Sequence, residues 1–278
     1  MEVISEMTTY EECVENFRKN KYKIKDEVVA WIRDWFSKNG SGCKAVIGIS
    51  GGKDSSVAAA LCVEALGVDH VFGVLMPNGE QSDINVAELL VTTLGIKSVT
   101  VNIKGAVDAV HDAIRYGIYD LSYQNEDMSI DFTEQAKINL PPRIRMATLY
   151  AVSQSIGGRV VNTCNLSEEF VGYSTRWGDS VGDFAPLAYF TTDEVVMLGE
   201  ACGLPDILTK KIPIDGLCGK TDEENLGFSY RDLNTVIRVP GFSKIVNEDT
   251  LSRILDMNRK TAFKRTTEIP AFVYPRFE

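Results

Sequence analysis

The 278-residue sequence has little histidine and no closely paired cysteines. Its two histidines, His70 and His111, lie far apart, and its six cysteines include no C-x-x-C pair. Because a structural zinc site needs a close group of Cys and His ligands, this spacing predicts that the chain binds no zinc.

Long apolar runs and a secretory signal are also missing. No apolar stretch approaches the roughly 20 residues that span a bilayer. The start of the chain, MEVISEMTTYEECVENF, is acidic and amphipathic, and it lacks the basic and apolar regions of a signal peptide. We therefore expect a cytoplasmic protein with reduced thiols and no membrane contact.

Positive charge is scarce, since 29 Lys and Arg residues stand against 39 Asp and Glu and give a formal net charge of −10. Nucleic-acid binding draws much of its affinity from Lys and Arg on phosphates, so this balance argues against a nucleic-acid partner. Ordinary surface solubility explains the acidity better than a specific function does. The hydrophobic fraction of 44% is sufficient for a folded core.

Short β-rich runs alternate with helical runs after residue 43. The runs CKAVIGIS, HVFGVLM and KSVTVNI are each followed by a helical pattern, namely SSVAAALCVEALG, SDINVAELLVTTLG and AVDAVHDAIRYG. Three such units predict a single α/β domain with a doubly wound parallel sheet and helices on both faces. A helix from near Pro142 to Ile156, with proline in its first turn, and a fourth strand in GGRVVNTCN complete the pattern.

The pattern is less regular at both ends of the chain. We expect two helices ahead of the first strand, one capped by Thr8 or Thr9 and one over residues 26–38. Residues 166–227 are interpreted as loops around one helix near residues 193–202. Such a long irregular segment inside a compact domain is usually functional or mobile.

The strongest functional signal is the run IGISGGKDSS at residues 47–56, between the first strand and the next helix. In a parallel sheet this junction lies at the carboxyl edge, where ligands bind. Glycine lets the backbone approach a ligand, and the free amides of the helix terminus attract an anion. Lys53 holds the variable position, where a surface lysine is as plausible as a functional one. The residues of this run that are expected to form the ligand site are Ser50, Gly51, Gly52, Asp54, Ser55 and Ser56.

This loop matches neither common glycine-rich nucleotide loop. A Walker A loop needs Gly at position 47 and Ser or Thr at position 54, where this chain has Ile47 and Asp54, and a Rossmann G-x-G-x-x-G is absent. The run S-G-G-x-D-S instead resembles the loop of N-type ATP pyrophosphatases, the PP-loop family. That resemblance implies an adenine nucleotide alpha hydrolase-like, Rossmann-like fold and a reaction that releases AMP and pyrophosphate. The alternative is a plain Gly-Gly turn in which Asp54 only caps the helix.

Four further segments resemble ammonia-dependent NAD synthetases in order and spacing. They are INLPPRIRM (138–146), NTCNLSEEFVGYSTRWGDS (162–180), APL (185–187) and DGLCGKTDEENLGFSY (215–230). The resemblance implies a ligase that forms NAD from deamido-NAD and ammonia through an adenylated carboxylate. Glutamine-using members of the family carry a glutaminase domain ahead of the synthetase domain, whereas the loop begins at residue 47 here. Free ammonia, or ammonia delivered by a partner, is therefore the expected nitrogen donor.

The resemblance also implies the residues of the site. Asp54 and Glu168 match two carboxylates near the family's Mg²⁺ and are expected to be both catalytic and metal-binding, with Glu169 as the fallback. Mg²⁺ prefers oxygen ligands, which suits such a pair. The other expected contacts are Thr163 and Arg143 for ATP, and Asn139, Arg145, Asp179 and Lys264 for deamido-NAD. Asn139, Arg143 and Arg145 are predicted on a turn that leads into the helix near Pro142.

The chain departs from the family pattern at two positions. Members often carry lysine where Thr192 stands and Ser or Thr where Ile214 stands, and both usually touch the ATP phosphates. The sequence leaves two explanations open. Either the contacts are rearranged, with Lys210, Lys211 or Lys220 supplying the charge, or the activity is weakened.

NAD synthetases are typically homodimers, and the resemblance implies the same here. Trp31, Trp35 and Phe36 offer aromatic surface for that contact or for a pyridine ring, although core packing explains them more simply. Residues 1–43 are accordingly expected to be N-terminal helices for a dimer or substrate contact. Residues 44–278 are expected to form the NAD synthetase-like ATP pyrophosphatase domain.

Three other functions remain open on the sequence alone. Another PP-loop ligase would amidate a different carboxylate. A non-catalytic adenine-nucleotide-binding protein would keep the fold, and Thr192 together with Ile214 favours it. The pair of Asp54 and Glu168 favours catalysis. A sulfurtransferase would need a reactive cysteine near the loop, for which Cys62 and Cys164 are the candidates.

Overall fold

A computed structural model of the chain describes residues 9–124, 132–210, 221–242 and 245–266. In chain order its elements are α1 (Tyr10–Asn39), β1 (Lys44–Gly48), α2 (Lys53–Leu66), β2 (Val71–Leu75), α3 (Ile84–Leu94), β3 (Lys97–Thr100), α4 (Lys104–Gln124), α5 (Glu134–Ser155), β4 (Gly158–Val160), α6 (Leu166–Val171), α7 (Thr192–Ala201), α8 (Asp206–Thr209), α9 (Asp222–Leu226), α10 (Tyr230–Arg238) and α11 (Glu248–Lys260). Three positions raised by the sequence lie outside the described residues: Lys211, Ile214 and Lys220.

The four strands form one parallel sheet in the order β3-β2-β1-β4. Strand β1 is central, because Ala45 pairs with Val71 of β2 on one side and with Arg159 of β4 on the other. Ala45 and Ile47 face a core built with α1, α2 and α7, whereas Val46 faces a core built with α4 and α5. The predicted doubly wound parallel sheet with helices on both faces is confirmed.

A smaller apolar cluster joins the last helices to α6. It is formed by residues of α6, α9, α10 and α11, among them Val171, Leu226, Leu233 and Ile254. This cluster fixes α9 and α11 beside the short helix that carries Glu168.

From residue 9, where the described part of the chain begins, one continuous helix and not two precedes the sheet. Thr9 caps α1, since its hydroxyl accepts a hydrogen bond from the Glu12 amide (3.2 Å) and the Glu12 carboxylate accepts one from the Thr9 amide (3.2 Å). This capping box confirms the predicted start. The stretch FRKNKYKIK between the two predicted helices contains no Gly or Pro that would end a helix. Ile32 and Phe36 of α1 belong to the main core.

Helix α5 begins at Glu134, so the predicted start near Pro142 is wrong. Thr133 caps the earlier start by accepting a hydrogen bond from a first-turn amide (3.2 Å). Pro141 and Pro142 therefore lie inside the helix, where packing of α5 on β1 and β4 outweighs the local cost of proline. Three site candidates consequently lie on a helix and not on a turn: Asn139, Arg143 and Arg145.

The segment 166–227 is more helical than predicted. Besides α7, it contains α6, α8 and α9, which have 6, 4 and 5 residues. Helices this short give no detectable hydrophobic period. None of the described helices has the length and apolar character needed to cross a membrane.

Candidate active site

A cavity of about 940 Å³ lies at the carboxyl ends of β1, β2 and β4. Residues that directly follow these strands line it, and α5, α6 and α9 close its sides. This is the edge of a parallel sheet at which ligands bind. The volume is at the upper end of the roughly 300–1,000 Å³ typical of small-molecule sites, which leaves room for more than one substrate.

The loop between β1 and α2 adopts a conformation that requires glycine. Gly51 has φ of +80°, and a Cβ there would lie 3.2 Å from a backbone nitrogen of α3. Ser50 and Gly52 line the cavity, as predicted. The hydroxyls of Ser55 and Ser56 instead donate to the Gly52 carbonyl (3.1 and 2.8 Å), so they brace the loop from within.

Two carboxylates face the cavity, Asp54 at the start of α2 and Glu168 on α6. Asn165 holds both of them. Its side-chain amide donates to Asp54 Oδ1 (3.0 Å), while its Oδ1 accepts from the Glu168 amide (3.1 Å) and its own amide donates to Glu168 Oε2 (3.4 Å). Sequence reasoning missed Asn165, although the N-x-x-E spacing of a capping box was the available signal. Glu169, the fallback ligand, does not line the cavity.

Lys53 is buried in the site, so the surface-lysine interpretation is wrong. It is 5% exposed, and its ammonium donates to Asp54 Oδ2 (2.8 Å). Burial disfavours the ammonium, but attraction to Asp54 and Glu168 outweighs that cost and places the pKa of Lys53 above its usual value. Asp222 of α9 also attracts Lys53 and lines the cavity. Asp222 was missed as well, although it falls in a segment that resembles the family.

The carboxylate pair fits a magnesium ion. Burial, followed by repulsion from Asp54, raises the pKa of Glu168 above its usual value, whereas Lys53 lowers it. Across the described ranges no group of three or more His, Cys, Asp and Glu side chains is arranged to hold a metal. Mg²⁺ usually takes only one or two protein carboxylates and completes its shell with water and phosphate oxygens. Two carboxylates that face one cavity beside a glycine loop match this preference.

The predicted substrate residues line the same cavity. Thr175 connects two of them, because its hydroxyl donates to Asn139 Oδ1 (2.8 Å) and its amide donates to Asp179 Oδ1 (2.9 Å). Burial raises the pKa of Asp179 and lowers the pKa of Lys264, and the two groups attract each other. Burial also lowers the pKa of Arg145, whose Nε donates to a backbone carbonyl (3.0 Å).

Of the two ATP contacts predicted outside the loop, one lines the cavity and the other does not. Thr163 lines the cavity, whereas Arg143 does not and donates from Nε to the Arg176 carbonyl (3.4 Å). Arg143 therefore needs to change its side-chain conformation before it can contact a ligand in this cavity.

Thr192 and Lys210 lie away from the cavity lining. Thr192 is buried, and its amide donates to Ser167 Oγ (3.0 Å). Lys210 forms ion pairs with Asp206 (3.0 Å) and Glu200 (3.5 Å). Neither residue brings positive charge to the loop in this conformation.

The known proteins that resemble this chain carry synthase or synthetase names. A family model described as NAD synthase matches residues 24–268. The chain is 36% identical over 221 residues to the NH(3)-dependent NAD(+) synthetase of Pyrococcus furiosus, with 79% of each chain covered. Its fold matches the NMN synthetase from Francisella tularensis with a TM-score of 0.77 at 28% identity, covering 92% of this chain and 99% of that one. It matches the NH3-dependent NAD synthetase from Campylobacter jejuni with a TM-score of 0.71 at 25% identity, covering 91% and 99%.

Proposed function

Because the chain belongs to the NAD synthase family, we propose that it forms NAD from deamido-NAD and ammonia, with ATP cleaved to AMP and pyrophosphate. The chain is an ATP-dependent amide-forming ligase, the class that the names of its relatives, NH(3)-dependent NAD(+) synthetases, indicate. The observation that carries the proposal for its site is the arrangement of one cavity: a glycine loop of the pyrophosphatase type opens beside Asp54 and Glu168.

The reaction solves a leaving-group problem. A carboxylate is a poor acyl donor because its oxygen leaves reluctantly. In the proposed reaction an oxygen of the nicotinate carboxylate attacks the α-phosphorus of ATP and pyrophosphate departs. Ammonia then attacks the acyl carbon and AMP leaves. Free amides at the start of α2 stabilise charge that develops on the departing pyrophosphate.

We propose that Asp54 and Glu168 hold Mg²⁺, which supplies charge neutralisation for the phosphates when bound. Asn165 supports this assignment, because its side-chain amide donates to the Asp54 carboxylate and its backbone amide donates to the Glu168 carboxylate. Neither a histidine nor a cysteine nucleophile is needed, since neutral ammonia is already nucleophilic.

The remaining sequence-based assignments are proposals for substrate contacts. The loop residues, Thr163 and Arg143 are assigned to ATP. Asn139, Arg145, Asp179 and Lys264 are assigned to deamido-NAD. The shared cavity supports all of these except Arg143, Ser55, Ser56 and Gly51, which do not line it. For Gly51 the support is its backbone geometry.

A second candidate substrate is the mononucleotide counterpart, nicotinate mononucleotide, which would yield NMN. The observation in its favour is the higher TM-score with the Francisella tularensis NMN synthetase, 0.77 against 0.71 for the Campylobacter jejuni enzyme. Both substrates present the same nicotinate carboxylate, so the chemistry of the loop is unchanged.

A product assay tests the function directly. Purified protein is given ATP, Mg²⁺ and ammonium with either deamido-NAD or nicotinate mononucleotide, and the products are identified by mass spectrometry. We expect NAD, AMP and pyrophosphate in equal amounts, and a higher kcat/KM for deamido-NAD. Asp54→Ala and Glu168→Ala are expected to abolish turnover with an unchanged circular dichroism spectrum. Bound ATP without any amide product would support the nucleotide-binding alternative.

The burial of the two candidate cysteines argues against the sulfurtransferase alternative. Cys62 and Cys164 are both buried, and burial raises the pKa of each thiol, which disfavours the thiolate. Full ammonia-dependent activity in the Cys62→Ala/Cys164→Ala double variant would remove this alternative.

Assembly, domain division and location are further proposals. We propose a homodimer that uses residues 1–43, ahead of the ligase domain at 44–278, in the cytoplasm. Trp31 is 44% exposed and so is available for a contact, whereas Phe36 is buried and Trp35 stacks on Phe184 at 4.7 Å. Light scattering of the wild type and Trp31→Ala measures the predicted dimer.

A further inference from the structure

The basic side chains of the cavity divide into two groups. In the described part of the chain, three of them line it: Lys53, Arg145 and Lys264. Arg145 and Lys264 are both attracted by Asp179. Lys53 is attracted by Asp54 and lies on the glycine loop itself. Lys53 is therefore the lining basic residue that serves the loop and its carboxylates.

The ammonium of Lys53 binds the Asp54 carboxylate, and a metal ion held by Asp54 would compete with it. Asp54 accepts the ammonium at Oδ2 (2.8 Å) and the Asn165 amide at Oδ1 (3.0 Å), so each oxygen already has a donor. The side chain of Lys53 is only 6% exposed, so water screens its charge weakly. A divalent cation bound by Asp54 and Glu168 would be close to this ammonium, and the two positive charges would repel each other.

Phosphates remove this conflict. Three cavity carboxylates interact with Lys53, namely Asp54, Glu168 and Asp222, so negative charge exceeds the charge of one ammonium. A triphosphate adds more negative charge and needs both a metal ion and the lysine. A lysine has a flexible four-carbon chain and three rotatable donors, which allows its ammonium to move from one anion to another.

We propose that Lys53 is an exchanging cation: its ammonium neutralises Asp54 and Glu168 before a metal binds, and moves to the phosphates of ATP when a divalent cation takes the carboxylates. This deepens the proposed function and rests on it for the identity of the nucleotide. It also accounts for Thr192, because the loop itself then supplies the charge that relatives often place at that position.

The exchange predicts two changes of opposite sign when the charge is removed. Lys53→Met should bind Mn²⁺ without nucleotide roughly tenfold more tightly, because a competing cation is gone. It should bind inorganic pyrophosphate in EDTA roughly tenfold more weakly, because a phosphate contact is gone. Both effects lie within the roughly 5–150-fold range of typical coupling between sites. Electron paramagnetic resonance measures free Mn²⁺, which prefers the same oxygen ligands as Mg²⁺, and calorimetry measures pyrophosphate binding.

Matched variants separate charge from other effects. Lys53→Arg keeps the charge and should retain most of the pyrophosphate affinity. Lys210→Met removes an exposed lysine that pairs with Asp206 and Glu200, and it should change neither affinity. Weaker binding of both probes by Lys53→Met would mean that Lys53 only supports the loop, and no change in either would mean a fixed ion pair. A change in one probe alone would also overturn the exchange.

A measurement on the wild-type protein tests the same idea if the uncharged variant does not fold. Acetic anhydride labels free lysine amines, and peptide mass spectrometry reads the labelling of Lys53 relative to Lys210. Mn²⁺ alone should increase the labelling of Lys53, and Mn²⁺ with pyrophosphate should decrease it again. Unchanged labelling in both conditions would refute the exchange. These readouts do not involve NAD formation, so their failure would leave the product assay, and the proposed reaction, unaffected.

Discussion

Substitution of Asn165 separates two roles of one buried side chain. Its Oδ1 caps α6 by accepting from the Glu168 amide, and its Nδ2 donates to Asp54. Asn165→Ser keeps a capping hydroxyl but is too short to hold Asp54, whereas Asn165→Ala loses both contacts. We therefore expect the alanine variant to be less stable than the serine variant by about 1 kcal/mol, the usual worth of an N-cap.

Activity should depend on the contact of Asn165 with Asp54 and not on the cap of α6. Loss of a residue that orients a metal ligand typically costs about 10–100-fold in metal affinity or activity. Such a loss corresponds to roughly 1.4–2.7 kcal/mol of transition-state stabilisation. Both Asn165→Ser and Asn165→Ala should therefore lose activity to this extent and need more Mg²⁺ for half-maximal rate.

Urea unfolding and steady-state rates over a Mg²⁺ titration measure the two effects separately. Thr9→Ala is the matched control, because Thr9 forms an equivalent capping box at the exposed start of α1, away from the cavity lining. It should lose stability without losing activity. Wild-type rates and metal dependence in Asn165→Ser would refute the reasoning, and so would equal stabilities of the two Asn165 variants.

Two further predictions concern stability. Gly172→Ala and Gly203→Ala both place alanine at positive φ (+65° and +72°). A Cβ at position 172 would lie 2.3 Å from the Thr261 Cβ, whereas a Cβ at position 203 would meet no atom within 4 Å. Thermal unfolding should show Gly172→Ala to be less stable by about 1–3 kcal/mol, and equal losses would contradict this. Burial raises the pKa of Asp179 in the folded protein above the unfolded value of about 3.9. The protonated Asp179 therefore contributes its full stability below about pH 3.9, and this contribution is lost as the pH rises through the folded pKa. The stability of wild type relative to Asp179→Asn, in which Thr175 still has an acceptor, should therefore fall as the pH rises above about 4 in urea unfolding. A relative gain would exclude the assignment.

The parts of the fold that could be predicted from the sequence are those set by local pattern. The alternation after residue 43 predicted the parallel sheet. The helical runs SSVAAALCVEALG and SDINVAELLVTTLG end at Gly67 and Gly95, which directly follow α2 and α3 in the structure. The prediction of α5 failed because proline is a local signal, whereas packing on β1 and β4 is not local. The two N-terminal helices were predicted separately because a polar stretch interrupts the apolar period within one helix.

Site residues could be named from the sequence where they lie in a recognisable motif, and not where their position depends on contacts between distant segments. Asp54 and Gly52 lie in one short run, and both line the cavity. Lys53 looked like a variable surface position because two of the carboxylates that attract it, Glu168 and Asp222, follow it by more than a hundred residues. Nothing near Lys53 in the sequence signals these partners.

Net charge is informative about large polyanions and says little about small ones. A chain with a net charge of −10 is an unfavourable partner for a nucleic acid, whose many phosphates respond to an extended surface. A triphosphate in a cavity responds to charges within a few ångströms, because exposed charges beyond about 8 Å are screened at physiological salt. Lys53 is buried and Arg145 and Lys264 are partly buried, so water screens their charges less than it screens those of exposed residues. An acidic surface and a site for anionic nucleotides are therefore compatible. Raising the salt concentration should weaken pyrophosphate binding at this site much less than it weakens the binding of nucleic acid to a basic surface.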